Sequence, residues 1–258
     1  MARSFSKKKE EKRRGSGKKG ETNADGIMDK APLMKDGQRE WFDLKDFLCA
    51  LALTVLIILV SVKSVSVDKN FVVSELRKNN VYDMMSSRSI SFSQVNSNAS
   101  RIIDYIALKK DASLDSTFLN AKEKQHMSDV KGIFEKINLL TMIMFPLTLL
   151  LFILIYWKKI GQIYKPYILS FFIILVFVGV MIILALNFGR FFTGFHKIAF
   201  TNDLWLMDPQ TDLIITLFPE QFFRDAFMRI LAYPAMIAFF FFFSGMLLRR
   251  QEKIRIRY

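Results

Sequence analysis

Four long apolar stretches constrain the fold of this 258-residue chain more than any other feature of its sequence. A helix needs about 20 apolar residues to cross the roughly 30 Å hydrocarbon core of a bilayer. The four stretches cover about residues 45–66, 137–157, 166–189 and 230–248. Because four such stretches leave too few polar helix faces for a soluble bundle, the sequence predicts an all-α integral membrane protein with four transmembrane helices.

The basic residues predict how these spans are oriented. The chain has a formal net charge of +13, and most of the excess lies in residues 1–46, in the short 158–165 connection and in residues 249–258. Segments next to a span that are rich in Lys and Arg remain in the cytoplasm. We therefore expect both chain ends to be cytoplasmic and the two long connections, 68–136 and 190–229, to lie outside the cell.

The same pattern divides the chain into three parts. Residues 1–43 are strongly basic, lack apolar periodicity and are predicted to be a disordered cytoplasmic tail. Residues 44–248 form the membrane domain, and residues 249–258 form a second basic cytoplasmic tail. The N-terminal tail can contact anionic membrane lipid, whereas nucleic-acid binding is not expected because no aromatic residues are interleaved with its basic ones.

The first outer segment contains the Ser-rich stretch 84–100, which is predicted to be a polar loop. The chain has a single cysteine, Cys49, so neither an internal disulfide nor a metal site of several cysteines can form.

The chain has only two histidines, and both fall in the predicted outer segments. In "HMSDVKGIFEKI", His126 and Asp129 are three residues apart, which places them on one face of a helix that leads into the second span. Asp129 can then reach the imidazole of His126 from the next turn and raise its basicity. The alternative is a solvated helix-surface pair that contributes little.

The second histidine, His196, lies in a segment rich in Phe, Leu and Ile that also carries several acidic residues. Such a segment suits the membrane interface, where its apolar groups enter the acyl boundary and its acids face water. His196 is therefore expected at the depth of lipid ester groups.

Familiar catalytic and metal-binding motifs are absent from the sequence: it has no H-E-x-x-H, no G-x-S-x-G and no Gly-rich phosphate loop. We expect no cofactor and no metal. A metal held by both histidines and loop aspartates stays an alternative that no motif supports.

Three segments resemble signatures of the bacterial lipoprotein intramolecular transacylase family: "HMSDVK", "FHKIAFTNDLW" at 195–205 and "TDLIITLFPEQFF" at 211–223. The resemblance covers roughly residues 45–248 and implies a four-span membrane acyltransferase without a cofactor. Its substrate would be a diacylated lipoprotein, whose sn-2 acyl chain moves to its own N-terminal cysteine amine to give a lyso-form lipoprotein.

The resemblance implies that His126 and His196 are catalytic. We expect His196 to be the general base and His126, aligned by Asp129, to protonate the leaving oxygen or polarise the carbonyl, although the residues also permit the reverse assignment. Four further residues are expected to support the site: Phe195, Trp205, Asp212 and Glu220. Two alternatives remain, namely another membrane lipid-ester acyltransferase or hydrolase, and a non-enzymatic membrane adaptor or sensor.

Overall fold

The computed structural model describes residues 42–255, and every regular element in that range is helical. Two short 3₁₀ turns cover Ile160–Gln162 and Ala185–Asn187. The α-helices of this range, in chain order, are α1 (Leu44–Ser66), α2 (Lys69–Lys78), α3 (Val81–Ser86), α4 (Phe92–Ile106), α5 (Ala121–Tyr156), α6 (Tyr164–Leu184), α7 (Phe188–Ala199), α8 (Ile214–Leu217) and α9 (Glu220–Arg255).

Four helical segments are long and apolar enough to cross a membrane: α1, α5, the 3₁₀ turns with α6 and α7, and α9. This confirms the predicted all-α membrane fold with four spanning helices. The helices α5 and α9 have 36 residues each, which is about 54 Å and well beyond the hydrocarbon thickness. The first four turns of α5 carry Lys and Glu side chains, so this part of the helix extends beyond the apolar stretch.

The spans pack through a small apolar core and a few polar contacts. Leu53 and Ile57 of α1 are buried against Phe171 and Ile174 of α6 and against Ala238 of α9. The hydroxyls of Thr54 and Ser170 hydrogen-bond at 3.0 Å in the same interface. At Gly245 of α9 an added Cβ would lie 3.3 Å from the carbonyl oxygen of Tyr164, so glycine permits the close approach of α6.

The contacts between spans fix which ends lie together. Lys63 near the end of α1 bonds to Asn138 of α5, whereas Tyr156 at the end of α5 donates its hydroxyl proton to Asp46 at the start of α1. The two helices are therefore antiparallel. We call the end that carries residues 67–120 and 188–219 the cap end, and the end that carries the 157–163 connection the basic end.

The two long connections fold together into a helical cap with its own apolar core. Leu76, Val81, Met85 and Val95 of the first connection are fully buried in this core, as is Leu217 of the second. Two salt bridges reinforce the contact of the first connection with α9: Arg229 with Asp68 at 2.9 Å, and Lys78 with Asp225 at 2.7 Å.

The prediction of a polar loop over residues 84–100 is wrong. Helix α3 ends at Ser86, and α4 begins after Ser91, whose side chain and that of Gln94 form a capping box. Because Val95 and Ala99 are buried in the cap core, the Ser-rich stretch has an apolar face despite its polar composition.

The predicted basic N-terminal tail lies outside the described residues except for positions 42 and 43. At the other end, α9 continues without a break through the predicted membrane boundary at residue 248 to Arg255.

Candidate active site

Helix α5 brings His126 to the cap end of the bundle. The helix begins with a capping box in which the Asn120 side chain accepts from the backbone N–H of Glu123, and Glu123 accepts from the N–H of Asn120. This box fixes the first turn, and His126 lies in the second. The residue is 9% exposed, and its Nδ1 has no hydrogen-bond partner among residues 42–255.

Helix α7 brings His196 to the same end. The Asn187 side chain caps this helix by accepting from the N–H of Arg190, and His196 follows two turns later on the buried face. Its Nδ1 lies 2.7 Å from the carbonyl oxygen of Phe192. Because a carbonyl can only accept, Nδ1 carries the proton, and Nε2 of the neutral ring keeps its lone pair.

The two histidine rings face each other. Their centroids are 6.2 Å apart and their planes are inclined by 28°. Phe200, which ends α7, contacts both rings, with centroid distances of 5.0 Å to His126 and 5.6 Å to His196. The structure therefore joins the two sequence-predicted histidines in one site.

Aromatic side chains surround His196. Phe192 lies 4.2 Å, Trp205 5.1 Å and Phe195 5.4 Å from its ring, measured between centroids. Two of these neighbours, Phe195 and Trp205, were expected from the sequence. Because His196 is only 8% exposed, these side chains exclude most water from its imidazole.

Burial controls the charge of both histidines, which lie outside the apolar spanning stretches. Burial, together with the nearby His196, lowers the pKa of His126 to about 4 against the opposing effect of the Asp129 carboxylate. Burial also lowers the pKa of His196, against the opposing effect of its hydrogen bond to Phe192. Both rings are therefore neutral near pH 7.

The structure places Asp129 differently from the expectation that it orients the imidazole of His126 by a hydrogen bond. Its carboxylate accepts a hydrogen bond from the Asn202 side chain at 3.0 Å, and within residues 42–255 it makes none to His126. Asp129 acts on the ring through its charge alone. Its hydrogen bond instead links α5 to the segment between α7 and α8.

Asp212 is a buried link between the second connection and the start of α5. Its carboxylate accepts from Asn120 at 2.8 Å, from the N–H of Asp208 at 2.8 Å and from Lys122 at 3.3 Å. Burial raises its pKa, but these three donors outweigh burial and lower the pKa below its usual value. The carboxylate thus remains charged and holds the cap closed around the histidines.

Glu123 is a site residue that sequence reasoning missed. It is 1% exposed, and besides Asn120 its carboxylate accepts from the backbone N–H of Ile214 at 2.7 Å. Its signal in the sequence is the Asn120-x-x-Glu123 capping-box spacing directly before the His126 helix. Asn202 and Phe200 were also missed, although both lie in the "FHKIAFTNDLW" segment.

Glu220 lies apart from the other expected residues. It begins α9, it is exposed, and its carboxylate lies beside Gly189 at the start of α7. No hydrogen bond or salt bridge joins it to either histidine in the described part of the chain. Its proximity to α7 limits it to an indirect effect on His196.

The chemistry available at this site is acid–base chemistry. The part of the chain that the structure describes contains no group of three His, Cys, Asp or Glu side chains able to hold a metal. The geometry offers a lone pair on Nε2 of His196 and a second neutral imidazole with its centroid 6.2 Å away.

The chain is similar to known proteins in sequence and in fold. The sequence profile described as lipoprotein intramolecular transacylase Lit matches residues 47–223. The fold is similar to a solved structure of the membrane integral lipoprotein intramolecular transacylase Lit from Bacillus cereus, with 23% sequence identity and a TM-score of 0.74. That similarity covers 82% of this chain and 97% of the solved one.

Two further Bacillus cereus Lit structures, in which one histidine is replaced by arginine or by alanine, each match with 23% identity and a TM-score of 0.69. They cover 82% of this chain and 93% and 94% of the solved chains, respectively. These likenesses show a shared fold. No curated protein sequence matches this chain.

Proposed function

The chain belongs to the lipoprotein intramolecular transacylase family and is a membrane acyltransferase of lipoproteins, and we propose that His126 and His196 are its catalytic residues. The observation that carries this proposal is the pairing of the two rings, in one of which Nδ1 is bonded to a backbone carbonyl and Nε2 keeps its lone pair. Neutral imidazoles at this depth suit proton transfer to and from an ester and an amine.

The reaction moves one acyl group within one substrate molecule. The amine of the N-terminal cysteine attacks the carbonyl carbon of the sn-2 ester, a C–N bond forms, and the bond between that carbon and the glyceryl oxygen breaks. One proton must leave the amine, and one must reach the glyceryl oxygen. Because nucleophile and ester belong to the same molecule, holding them in attacking geometry supplies much of the acceleration.

His196 is suited to be the general base. Its Nδ1–H is committed to the Phe192 carbonyl, which orients the ring and leaves Nε2 to accept the amine proton. The proton then passes from Nε2 to the glyceryl oxygen as that oxygen departs, so His196 returns to its neutral form. Base and acid are the same imidazole in successive steps, and the proton balance closes without another residue.

His126 is suited to polarise the ester carbonyl. Burial lowers its pKa to about 4, so the ring is neutral at pH 7 and is a poor source of a proton. A neutral imidazole still donates one N–H, which can stabilise the oxyanion of the tetrahedral intermediate. Of the two roles expected for His126, the structure thus favours polarisation over protonation of the leaving oxygen.

The supporting residues act through these two rings. Phe195 and Trp205 keep water from His196, which protects the acyl group from hydrolysis during transfer. Asp129 and Asp212 hold the second connection against α5. Glu220 supports the start of α7 from α9.

The site is proposed to face the outside of the cell, where lipoprotein N-termini are exposed. The excess of Lys and Arg at the basic end and in the flanking tails supports this orientation. Exposed apolar residues of α7, such as Phe195 and Ile198, suit contact with the acyl region of the outer leaflet and hence with membrane lipid.

The proposal is tested in a bacterium whose lipoproteins are only diacylated. Wild type, His126→Ala and His196→Ala are expressed, and N-terminal lipopeptides are read by tandem mass spectrometry. We expect the wild type to yield N-acyl, S-monoacylglyceryl peptides, and each variant to lose about 10² to 10⁴ in rate at comparable protein levels. The matched control is Phe172→Ala, an exposed residue of α6 far from the cap.

Other outcomes contradict the proposal in distinct ways. Lyso-lipoprotein with a free amine would indicate a lipid-ester hydrolase. Unchanged diacylglyceryl peptides with well-expressed wild type would indicate an adaptor or a different acyl substrate. Full product from either histidine variant would exclude that histidine from catalysis.

A further inference from the structure

A groove at the basic end of the bundle is separate from the histidine site. It has a volume of about 430 Å³ and lies between α1, α5, the start of α6 and α9. Its walls are almost entirely Leu, Ile and aromatic side chains. Each helix contributes to the lining, for example through Leu53 of α1, Phe152 of α5, Tyr167 of α6 and Phe241 of α9. This volume falls within the roughly 300 to 1,000 Å³ of small-molecule sites.

The length of the groove matches one leaflet. It extends from Phe145 of α5 to Trp157, the residue after the helix, which is twelve steps of 1.5 Å and about 18 Å in all. Half of the hydrocarbon core is about 15 Å thick. An acyl chain that enters at the basic end would therefore fill the groove and end near the middle of the bilayer.

The mouth of the groove carries an exposed tryptophan and two exposed lysines. Trp157 and Ile160 line the mouth and are 74% and 68% exposed. Between them lie Lys158 and Lys159, both exposed and in no salt bridge within residues 42–255. Tryptophan at this level is typical of the interface, and lysines there attract anionic headgroups.

Three acidic groups lie nearby: Asp43, Asp46 and Glu252. The Glu252 carboxylate lies beside Gly161, and the exposed Arg250 and Lys253 of the same helix outweigh its charge. Asp43 is paired with Lys45 at 2.9 Å, and Asp46 is fully buried, where it accepts the hydrogen bond from Tyr156. The mouth therefore keeps a local positive charge that complements a phosphate.

We propose that this groove binds one anionic phospholipid, with an acyl chain along α5 and its phosphate at Lys158 and Lys159. In the orientation proposed above, the lipid belongs to the inner leaflet, which is rich in anionic headgroups. It lies in the leaflet opposite the reacting lipoprotein, so this binding is independent of the transacylase reaction.

A lipid fits the groove better than another helix does. Helices pack in membranes through small residues that let backbones approach, and Thr148 is the only small residue that lines this groove. A helix is also about 10 Å wide, whereas an acyl chain follows a narrow channel between bulky side chains.

Native mass spectrometry of the full chain, released from detergent with added phosphatidylglycerol or phosphatidylcholine of equal acyl chains, tests the proposal. We expect one phosphatidylglycerol to be retained in preference to phosphatidylcholine. In the variant Lys158→Gln/Lys159→Gln, the preference for phosphatidylglycerol over phosphatidylcholine should fall roughly fivefold for each lysine replaced. Leu149→Trp, which fills the groove from an exposed position, should reduce retention of both lipids.

The matched control is Lys110→Gln/Lys124→Gln, which removes the same charge from the cap end and should leave the preference unchanged. Elution volume and thermal unfolding show that each variant is folded. Equal retention of the two lipids by the wild type would overturn the proposal, as would unchanged retention by Leu149→Trp or equal losses in both lysine pairs. A doubled chain mass without lipid would assign the groove to a second copy instead.

Discussion

The carboxylate of Glu123 accepts a hydrogen bond at 2.7 Å from the backbone N–H of Ile214, ninety-one residues away along the chain. This bond fastens the first turn of α5, which positions His126, to the segment that follows His196. Since Glu123 is 1% exposed, water cannot replace it there. The two halves of the site are therefore joined by a buried polar contact as well as by apolar packing.

Replacing Glu123 with Ala should destabilise the cap. The buried N–H group of Ile214 would lose its acceptor, which costs about 1 to 3 kcal/mol, whereas water can replace the carboxylate at the exposed Asn120. We expect a lower midpoint of thermal unfolding in detergent and reduced transacylation. Glu135→Ala, on an exposed part of the same helix, is the control and should change neither. An unchanged midpoint for Glu123→Ala would show that the bond to Ile214 contributes no stability.

Glutamine substitutions should separate the roles of the two histidines. The side-chain amide of Gln can donate an N–H, as a polarising group must, but it cannot accept and return a proton. His126→Gln should therefore keep more activity than His126→Ala, whereas His196→Gln should be as inactive as His196→Ala. Rates of lipopeptide conversion measured in membranes decide this, and a reversed order would assign the base to His126.

Asp129→Asn should be tolerated if the residue acts by positioning the second connection. An asparagine oxygen still accepts the hydrogen bond from Asn202, so we expect only a few-fold loss of activity, whereas Asn202→Ala and Asp129→Ala should lose more. In a double-mutant cycle the two Ala changes should not add, because they break the same contact. A large loss from Asp129→Asn alone would show that the negative charge beside His126 is required.

The free energy of unfolding should decrease as the pH is lowered, because His126 has a depressed pKa in the folded chain. Its pKa is about 4 in the folded chain and near 6.5 when unfolded, so below pH 6.5 the unfolded state binds more protons. The stabilising contribution is complete above pH 6.5 and is lost as the pH falls toward 4, by on the order of 1 to 3 kcal/mol. The difference in thermal midpoint between wild type and His126→Gln, followed from pH 7.5 to 4.5, should shrink or change sign on acidification. A constant difference would contradict a depressed pKa.

The outline of the fold could be predicted because each membrane span is recognisable from a run of consecutive residues. A bilayer requires about 20 apolar residues in sequence, and no distant contact alters that requirement. Helix α4 was not predicted because its burial depends on contacts with distant segments. Its buried face depends on Val95 and Ala99 meeting a cap core that comes from other segments, and Ser and Asn around them gave a polar composition.

Parts of the site could be read from the sequence and parts could not. The spacing of His126 and Asp129 placed them on one helix face, but only the folded chain shows that Asp129 turns to Asn202 instead. Phe195 and Trp205 lie around His196 as expected, whereas Glu220 makes no hydrogen bond or salt bridge to either histidine among the described residues.

The sequence by itself determined the four spans, the side of the bundle that both histidines share and the family to which the chain belongs. These follow from local composition and from short motifs, which are properties of consecutive residues. The tertiary structure alone decided that the rings lie 6.2 Å apart, that Nδ1 of His196 carries the proton and that burial keeps both rings neutral. Each of these features depends either on groups from distant parts of the chain or on the backbone geometry of a formed helix. None of them can therefore be read from the order of the residues.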